Sequence, residues 1–254
     1  MERIRLGGTG LKVSPLAFGT MTLGDPVAED TSLELLDFVV DQGINFIDTA
    51  NGYNAGLSEE IIGKWMKARG NRERIVLATK VRYAVGGDPD TAGSTPKVIL
   101  REVENSLRRL NTDYIDIYYL HQPDDDTPIE ITWRALESLV SSGKIRYIGV
   151  SNFAAWQVVE AVNLARNRGW TPPTVTQALH NAISRAVETE LLPMTRSYDI
   201  GTCMYNPLAG GLLTGKYKAG KEAGSDTRFA ANEMYRKRYW NDPQRTAADQ
   251  FSRI

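Results

Sequence analysis

The sequence lacks most of what would point away from a packed enzyme-sized domain. It has one cysteine, Cys203, in 254 residues, so no disulfide can close within the chain. No apolar run is long enough to span a bilayer, and Met1-Glu2-Arg3 does not begin a secretory signal. Neither sign of charge is in excess: 30 Lys and Arg stand against 31 Asp and Glu, a formal net of −1. That balance offers no basic face to nucleic acid and no field for an anionic membrane. There is no low-complexity tract. What remains predicts a single domain over residues 1–254, cytoplasmic, with a small-molecule partner and an oligomeric state that composition leaves open.

From Leu16 onward, short β-branched runs alternate with segments of helical period, the pattern of repeated βα units. The runs are Leu16 to Phe18, Ile44 to Asp48, Ile75 to Lys80, Tyr114 to His121, Ile145 to Val150, Thr174 to Ala178 and Ile200 to Tyr205. Several are apolar almost throughout, as strands buried on both faces should be. Helices are predicted over Glu34 to Asp41, Glu59 to Ala68, Lys97 to Leu110, Ile129 to Ser141, Ala155 to Asn167 and Glu188 to Tyr198. Gly43 and Gly143 suit left-handed caps, while Pro96 and Pro128 sit near helix starts. Ahead of the first run, Ile4 to Leu6 and Leu11 to Val13 flank Gly7-Gly8-Thr9-Gly10. A dinucleotide loop would need a buried strand before this turn and a helix after it, so the segment reads as a hairpin that plugs the floor of a barrel.

In a parallel barrel, reactive groups collect where strands end, because the βα loops build the site there. Asp48 ends the second run, Tyr53 follows in the next loop, Lys80 ends the third run and His121 ends the fourth. A lone Asp there is often a cap, a lone Tyr core, and a lone Lys solvated. Together they make a different case. Lys80 follows Ile75-Val76-Leu77-Ala78, so its stem starts inside the barrel, where burying two charges is costly without a purpose. Asp48 on the neighbouring strand keeps the amine charged, and an ammonium near a phenol lowers the tyrosine pKa from about 10. Tyr53 then suits a general acid, with His121 as a second donor where negative charge develops on a carbonyl oxygen receiving hydride at carbon.

These residues sit among ordered blocks that extend along nearly the whole chain: Gly19-Thr20-Met21, Asp48-Thr49-Ala50 with Gly52-Tyr53, Ser58-Glu59, Ala78-Thr79-Lys80 and Asp113-Tyr114-Ile115-Asp116. Gly143-Lys144-Ile145-Arg146, Ile148-Gly149-Val150-Ser151-Asn152-Phe153 and Tyr205-Asn206-Pro207-Leu208-Ala209-Gly210-Gly211-Leu212 continue the series. The sequence resembles the aldo-keto reductase family, on the branch related to the potassium-channel β subunits. The resemblance implies a (β/α)8 TIM barrel with an N-terminal β-hairpin, and an NADP(H)-dependent oxidoreductase that reduces aldehydes or ketones. It implies Asp48, Tyr53, Lys80 and His121 as catalytic residues. For the cofactor it implies Ser151, Asn152 and Gln177 at the carboxamide and Tyr205 stacked on the nicotinamide. Asn206, Pro207, Leu208, Ala209 and Gly210 would then run under the pyrophosphate, with Lys216 and Arg228 neutralising phosphates and Gly19, Thr20, Met21 and Asp48 completing the contacts. Met21, Tyr53, Tyr83 and His121 are candidates for the substrate side, as is Trp133, for which core packing is an equal rival. The alternative within the resemblance is a cofactor-binding regulatory or scaffold protein of channel β-subunit type with little turnover.

Other features are assigned structural roles. Cys203 reads as a small buried hydrophobe and His180 as a core or loop residue without a metal-ligand set around it. Asp124-Asp125-Asp126, before Thr127-Pro128, reads as a loop and helix start, so no metal is expected. After Tyr205 no eighth apolar run follows, and Lys216 to Ile254 is polar and helix-prone. An eight-stranded barrel cannot close with seven strands, and the two unpaired edges suggest a fragment of a longer protein. The missing part would carry much of the adenosine 2′-phosphate site, so preference for NADP(H) over NAD(H) rests on the resemblance alone.

Overall fold

A computed structural model describes residues 1–217, 224 and 227–252. The chain groups into two units, Met1–Gln177 with Met194–Cys203, and Ala178–Pro193 with Met204–Ile254. A two-stranded antiparallel hairpin comes first, β1 (Ile4–Arg5) and β2 (Lys12–Val13), paired Ile4 to Val13 and Arg5 to Lys12. Seven strands follow in one sheet in sequence order: β3 (Ala17–Gly19), β4 (Phe46–Asp48), β5 (Val76–Val81), β6 (Ile115–Leu120), β7 (Ile145–Ser151), β8 (Val175–Leu179) and β9 (Gly201–Tyr205). The registered pairs from β3 to β8 are all parallel. Among the described residues this is the (β/α)8-type architecture with one strand fewer than eight.

Six helices join successive strands: α1 (Glu29–Asp41), α2 (Leu57–Arg69), α3 (Pro96–Leu110), α4 (Ile129–Ser141), α5 (Ala155–Arg168) and α6 (Leu191–Tyr198). Their boundaries follow local chemistry. Thr95 caps α3, its hydroxyl accepting from the Val98 amide, and Pro96 occupies the first turn where its missing N–H costs nothing. Gly43 and Gly143, just past α1 and α4, have φ of +88° and +75°, which only glycine adopts without strain. Past β9 the described residues form α7 (Arg228–Ala231), α8 (Glu233–Tyr239) and α9 (Asp242–Phe251).

The hairpin packs at the floor as its composition predicts. Leu6 and Val13 join Phe46, Val76, Ala78, Ile117, Tyr119 and Val175 in one buried apolar cluster. Burying a side chain such as Leu6 or Val13 stabilises by about 1.5–3 kcal/mol, so the plug does more than close a gap. Gly7 is pressed so close to the start of β9 that an added Cβ would meet the Gly201 nitrogen at 2.3 Å. Trp133, a candidate pocket residue by sequence, is instead fully buried on α4, its indole N–H donating to the Thr171 carbonyl at 2.9 Å. Of its two rival readings, core packing is the correct one.

Candidate active site

The register of the first strands sets the geometry. Asp48 pairs with Gly19 on one side and Ala78 on the other, and Lys80 lies two residues beyond Ala78. Alternation in β5 sends Ala78 and Lys80 to the same face, so both charged side chains point inward. Lys80 and Asp48 form a buried ion pair through Asp48 Oδ1. The Lys80 amine also donates to the Thr49 carbonyl at 2.8 Å and to the Tyr53 hydroxyl at 3.3 Å. Burial opposes the ammonium, but the charges and hydrogen bonds of Asp48 and Tyr53 outweigh it and raise its pKa to about 12. Lys80 therefore stays charged.

The loop carrying Tyr53 is fixed by polar contacts at both ends. The Thr49 and Asn51 amides continue the ladder to the carbonyls of Ala78 and Lys80 at 2.9 and 3.1 Å. Beyond Tyr53 the chain enters the left-handed region at Asn54 and Ala55, φ +48° and +55°. Asn54 offsets that strain with its amide, which donates to the carbonyls of Met21, Leu23 and Asp25 at 3.3, 2.8 and 3.0 Å. Thr20 is fully buried, with both its amide and its hydroxyl donating to the Asp48 carbonyl at 3.0 Å.

His121 follows β6, its amide bonded to the Val81 carbonyl at 2.9 Å. Burial, reinforced by the Lys80 charge, lowers its pKa to about 2, so the ring is neutral at ordinary pH. Its Nδ1 is buried and has no partner among the described residues. The ring stands edge-on to Tyr53 at 5.8 Å and to Tyr83 at 4.7 Å between centroids. Tyr83 is 41% exposed, and its hydroxyl donates to Gln122 Oε1 at 2.6 Å. A neutral imidazole, a phenol and an ammonium thus converge on one spot, with acceptors and donors matched to a polarised oxygen.

Ser151 ends β7, and Asn152 follows at φ +61°, its side-chain amide donating to the His121 carbonyl at 2.9 Å and to Ser151 Oγ at 3.1 Å. Gln177 on β8 donates to Asp48 Oδ2 at 2.9 Å. Within the second unit, Tyr205 ends β9, and the turn after it runs through Asn206, Ala209, Gly210 and Gly211 at φ of +58°, +50°, +67° and +102°. Pro207 and the exposed Leu208 lie between them. The Asn206 carbonyl and side-chain oxygens are held by Asn181 at 3.0 Å and the Tyr235 hydroxyl at 3.1 Å. A Cβ on Gly210 would strike the Tyr235 ring at 2.7 Å, and one on Gly211 would lie 3.7 Å from the Lys216 amine. Arg228 stacks over the same Tyr235 ring, 5.0 Å from its centroid. Two cations, Lys216 and Arg228, thus stand by this glycine turn or the ring packed on it, an arrangement that fits a phosphate-bearing cofactor.

Several contacts carry no sequence signature. Glu59, fully buried, accepts from Thr79 beside Lys80 and from Arg109 at 2.7 Å. Glu102, also fully buried, accepts from the Asn51 amide at 3.1 Å. Both carboxylates brace the loop and strand that hold the reactive residues. His180 lies in the loop past β8, paired with Glu188 at 2.8 Å, and Cys203 is partly buried with its thiol 3.7 Å from Gln177. Among the described residues no cluster of His, Cys, Asp or Glu could hold a metal, and no helix is long and apolar enough to cross a membrane.

The aldo/keto reductase family model matches residues 15–254, and the chain belongs to that family. It is 44% identical over 225 residues to the uncharacterized oxidoreductase YrpG of Bacillus subtilis (strain 168), covering 85% of this chain and 69% of the relative. Human aldo-keto reductase family 7 member A3 is 40% identical over 230 residues, 88% of this chain and 68% of its own length. A probable voltage-gated potassium channel subunit beta of Arabidopsis thaliana is 40% identical over 233 residues, 91% of this chain and 70% of its own. Members of the family act on small-molecule carbonyl compounds and bind a nicotinamide dinucleotide, and the chain is an oxidoreductase of this class.

Proposed function

We propose that the protein is an NADP(H)-dependent reductase of aldehydes or ketones in which Tyr53 is the general acid. The observation that carries this reading is the Lys80 ammonium, buried, charged and 3.3 Å from the Tyr53 hydroxyl. When bound, the reduced nicotinamide supplies hydride to the carbonyl carbon. Tyr53 then delivers its phenolic proton to the carbonyl oxygen, and the Lys80 charge stabilises the phenolate left behind. His121, neutral, donates to the same oxygen and holds it toward Tyr53. Ser151, Asn152 and Gln177 present the amide-binding groups expected of a carboxamide site, and Tyr205 an aromatic face. Gly19 ends β3 paired with Asp48, Met21 lies two residues past that strand, and Met21 and Tyr83 border the substrate side. Lys216 and Arg228 beside the Asn206 to Gly211 turn supply phosphate contacts.

Human and rat relatives at 38% identity are named aflatoxin B1 aldehyde reductases, which supports an aldehyde as the first substrate class to assay. The test is an aldehyde and ketone panel with NADPH and NADH. Turnover faster with NADPH supports the proposal, and turnover with NADH alone overturns the cofactor assignment. The match to the channel β subunit favours a second reading, a cofactor-binding regulatory subunit, which would show stoichiometric NADPH binding without turnover.

A further inference from the structure

We propose that Gln177 is a positioning residue that occupies the second oxygen of Asp48 and thereby reserves one N–H of Lys80 for Tyr53. The resemblance assigns this residue only to the cofactor. Its side chain is 5% exposed, and its amide reaches Asp48 Oδ2 at 2.9 Å from a strand that is not a neighbour of β4. The same nitrogen lies 3.7 Å from Cys203 Sγ.

The inference follows from counting donors. An ammonium has three N–H groups, and Lys80 spends one each on Asp48 Oδ1, the Thr49 carbonyl and the Tyr53 hydroxyl. A carboxylate has two oxygens, and one facing an ammonium alone can turn to offer both. If Asp48 did so, its second oxygen would compete for the N–H that now meets Tyr53, since a carboxylate is the stronger acceptor. Gln177 removes that competition by satisfying Oδ2 from the far side. Lys80 on β5 and the His121 ring after β6 contact Tyr53; behind them Asp48 on β4 pairs with Lys80, Tyr119 on β6 faces the Lys80 amine, Tyr83 in the loop after β5 faces His121, Gln177 on β8 bonds Asp48, and Cys203 on β9 lies against Gln177. Burial holds the Tyr119 hydroxyl and the Cys203 thiol protonated, the latter at about 12, and keeps His121 neutral. How Lys80 divides itself between Asp48 and Tyr53 therefore bears directly on the charge of the Tyr53 phenol.

This rests on Tyr53 being the general acid, and the experiment separates the two. The ionisation of Tyr53 is read in cofactor-free protein by ultraviolet difference titration of each background against its own Tyr53→Phe counterpart. Gln177→Met should move that titration upward by about half a unit or more, with the alkaline limb of kcat moving the same way. Gln177→Leu likewise has no donor for Asp48 but a different shape, so it should shift in the same direction even if the Met variant folds poorly. Ser151→Ala is the control for a carboxamide contact: cofactor affinity falls and the titration stays in place. If both Gln177 variants weaken cofactor binding while Tyr53 titrates as in the parent, Gln177 is a cofactor ligand alone and the proposal fails. If Tyr53→Phe retains parental turnover, the underlying reading of Tyr53 fails, whatever Gln177 does.

Discussion

The Lys80 amine stands 3.3 Å from the Tyr53 hydroxyl while paired on its other side with Asp48. A proton donor, a buried charge and that charge's counter-ion are thus linked by consecutive contacts. Tyr53→Phe keeps the ring and its packing but removes the donated proton. Reduction should fall by about 10²–10⁴-fold with NADPH affinity nearly unchanged, measured by steady-state rates beside a fluorescence titration of the cofactor.

Lys80→Met should slow reduction comparably and also move the pH profile, because the phenol loses the ammonium that favours its ionised form. The alkaline limb shifts upward as the rate drops. Asp48→Asn should cost less activity, since a charged Lys80 remains beside Tyr53. Rates across a pH series for the two variants decide the order, and an Asp48 variant slower than the Lys80 variant would reverse the assigned roles.

His121 ties stability to acid. Its pKa is about 2 in the folded chain against 6.5 for the free side chain, so between these values the unfolded state binds a proton that the folded state refuses. Stability therefore falls as pH drops below 6.5, by up to about 1.4 kcal/mol per unit from this residue. Urea unfolding at about pH 6 and 5, above the carboxylate range, should show a flatter dependence in His121→Asn than in the parent.

Arg109 neutralises Glu59, whose carboxylate is fully buried and pushed above the usual range chiefly by that burial. Arg109→Met leaves the charge alone and should destabilise by about 3–5 kcal/mol. Because Glu59 is easier to bury protonated, the deficit should grow as pH rises through its elevated pKa. Glu59→Gln, which removes the charge, should cost less in denaturant titration.

Much of this arrangement is legible in the sequence wherever burial imposes a period. Ile129 to Ser141 is read and found with the same ends, and Ile75 to Lys80, read as a strand buried on both faces, is found as Val76–Val81. Asp48, Lys80 and His121 are legible because strand ends are where a parallel barrel builds its site. The start of α1 is not: Glu29, Asp30, Thr31 and Ser32 carry no apolar period, so a reading that begins at Glu34 misses a turn held by acidic residues at the positive end of the helix dipole. Likewise the segment expected as helix from Glu188 opens with a short 3₁₀ turn, Ala186–Glu188, before α6 begins at Leu191. The contacts of Asn54 with three carbonyls, of Asn51 with Glu102, and of Gln177 with Asp48 across 129 residues stay hidden. Backbone acceptors have no letter in a sequence, and a hydrogen bond between distant strands has no period.

The order of the sheet follows the order of the chain, and this gives the site a history during synthesis. Asp48, Tyr53, Lys80 and His121 come from consecutive neighbouring strands or the loops after them, so all four have left the ribosome soon after β6, while the second half of the chain is still to come. Gln177 is translated later, on β8. The reactive group is encoded early, and the residue that steadies its carboxylate arrives only after two further βα units.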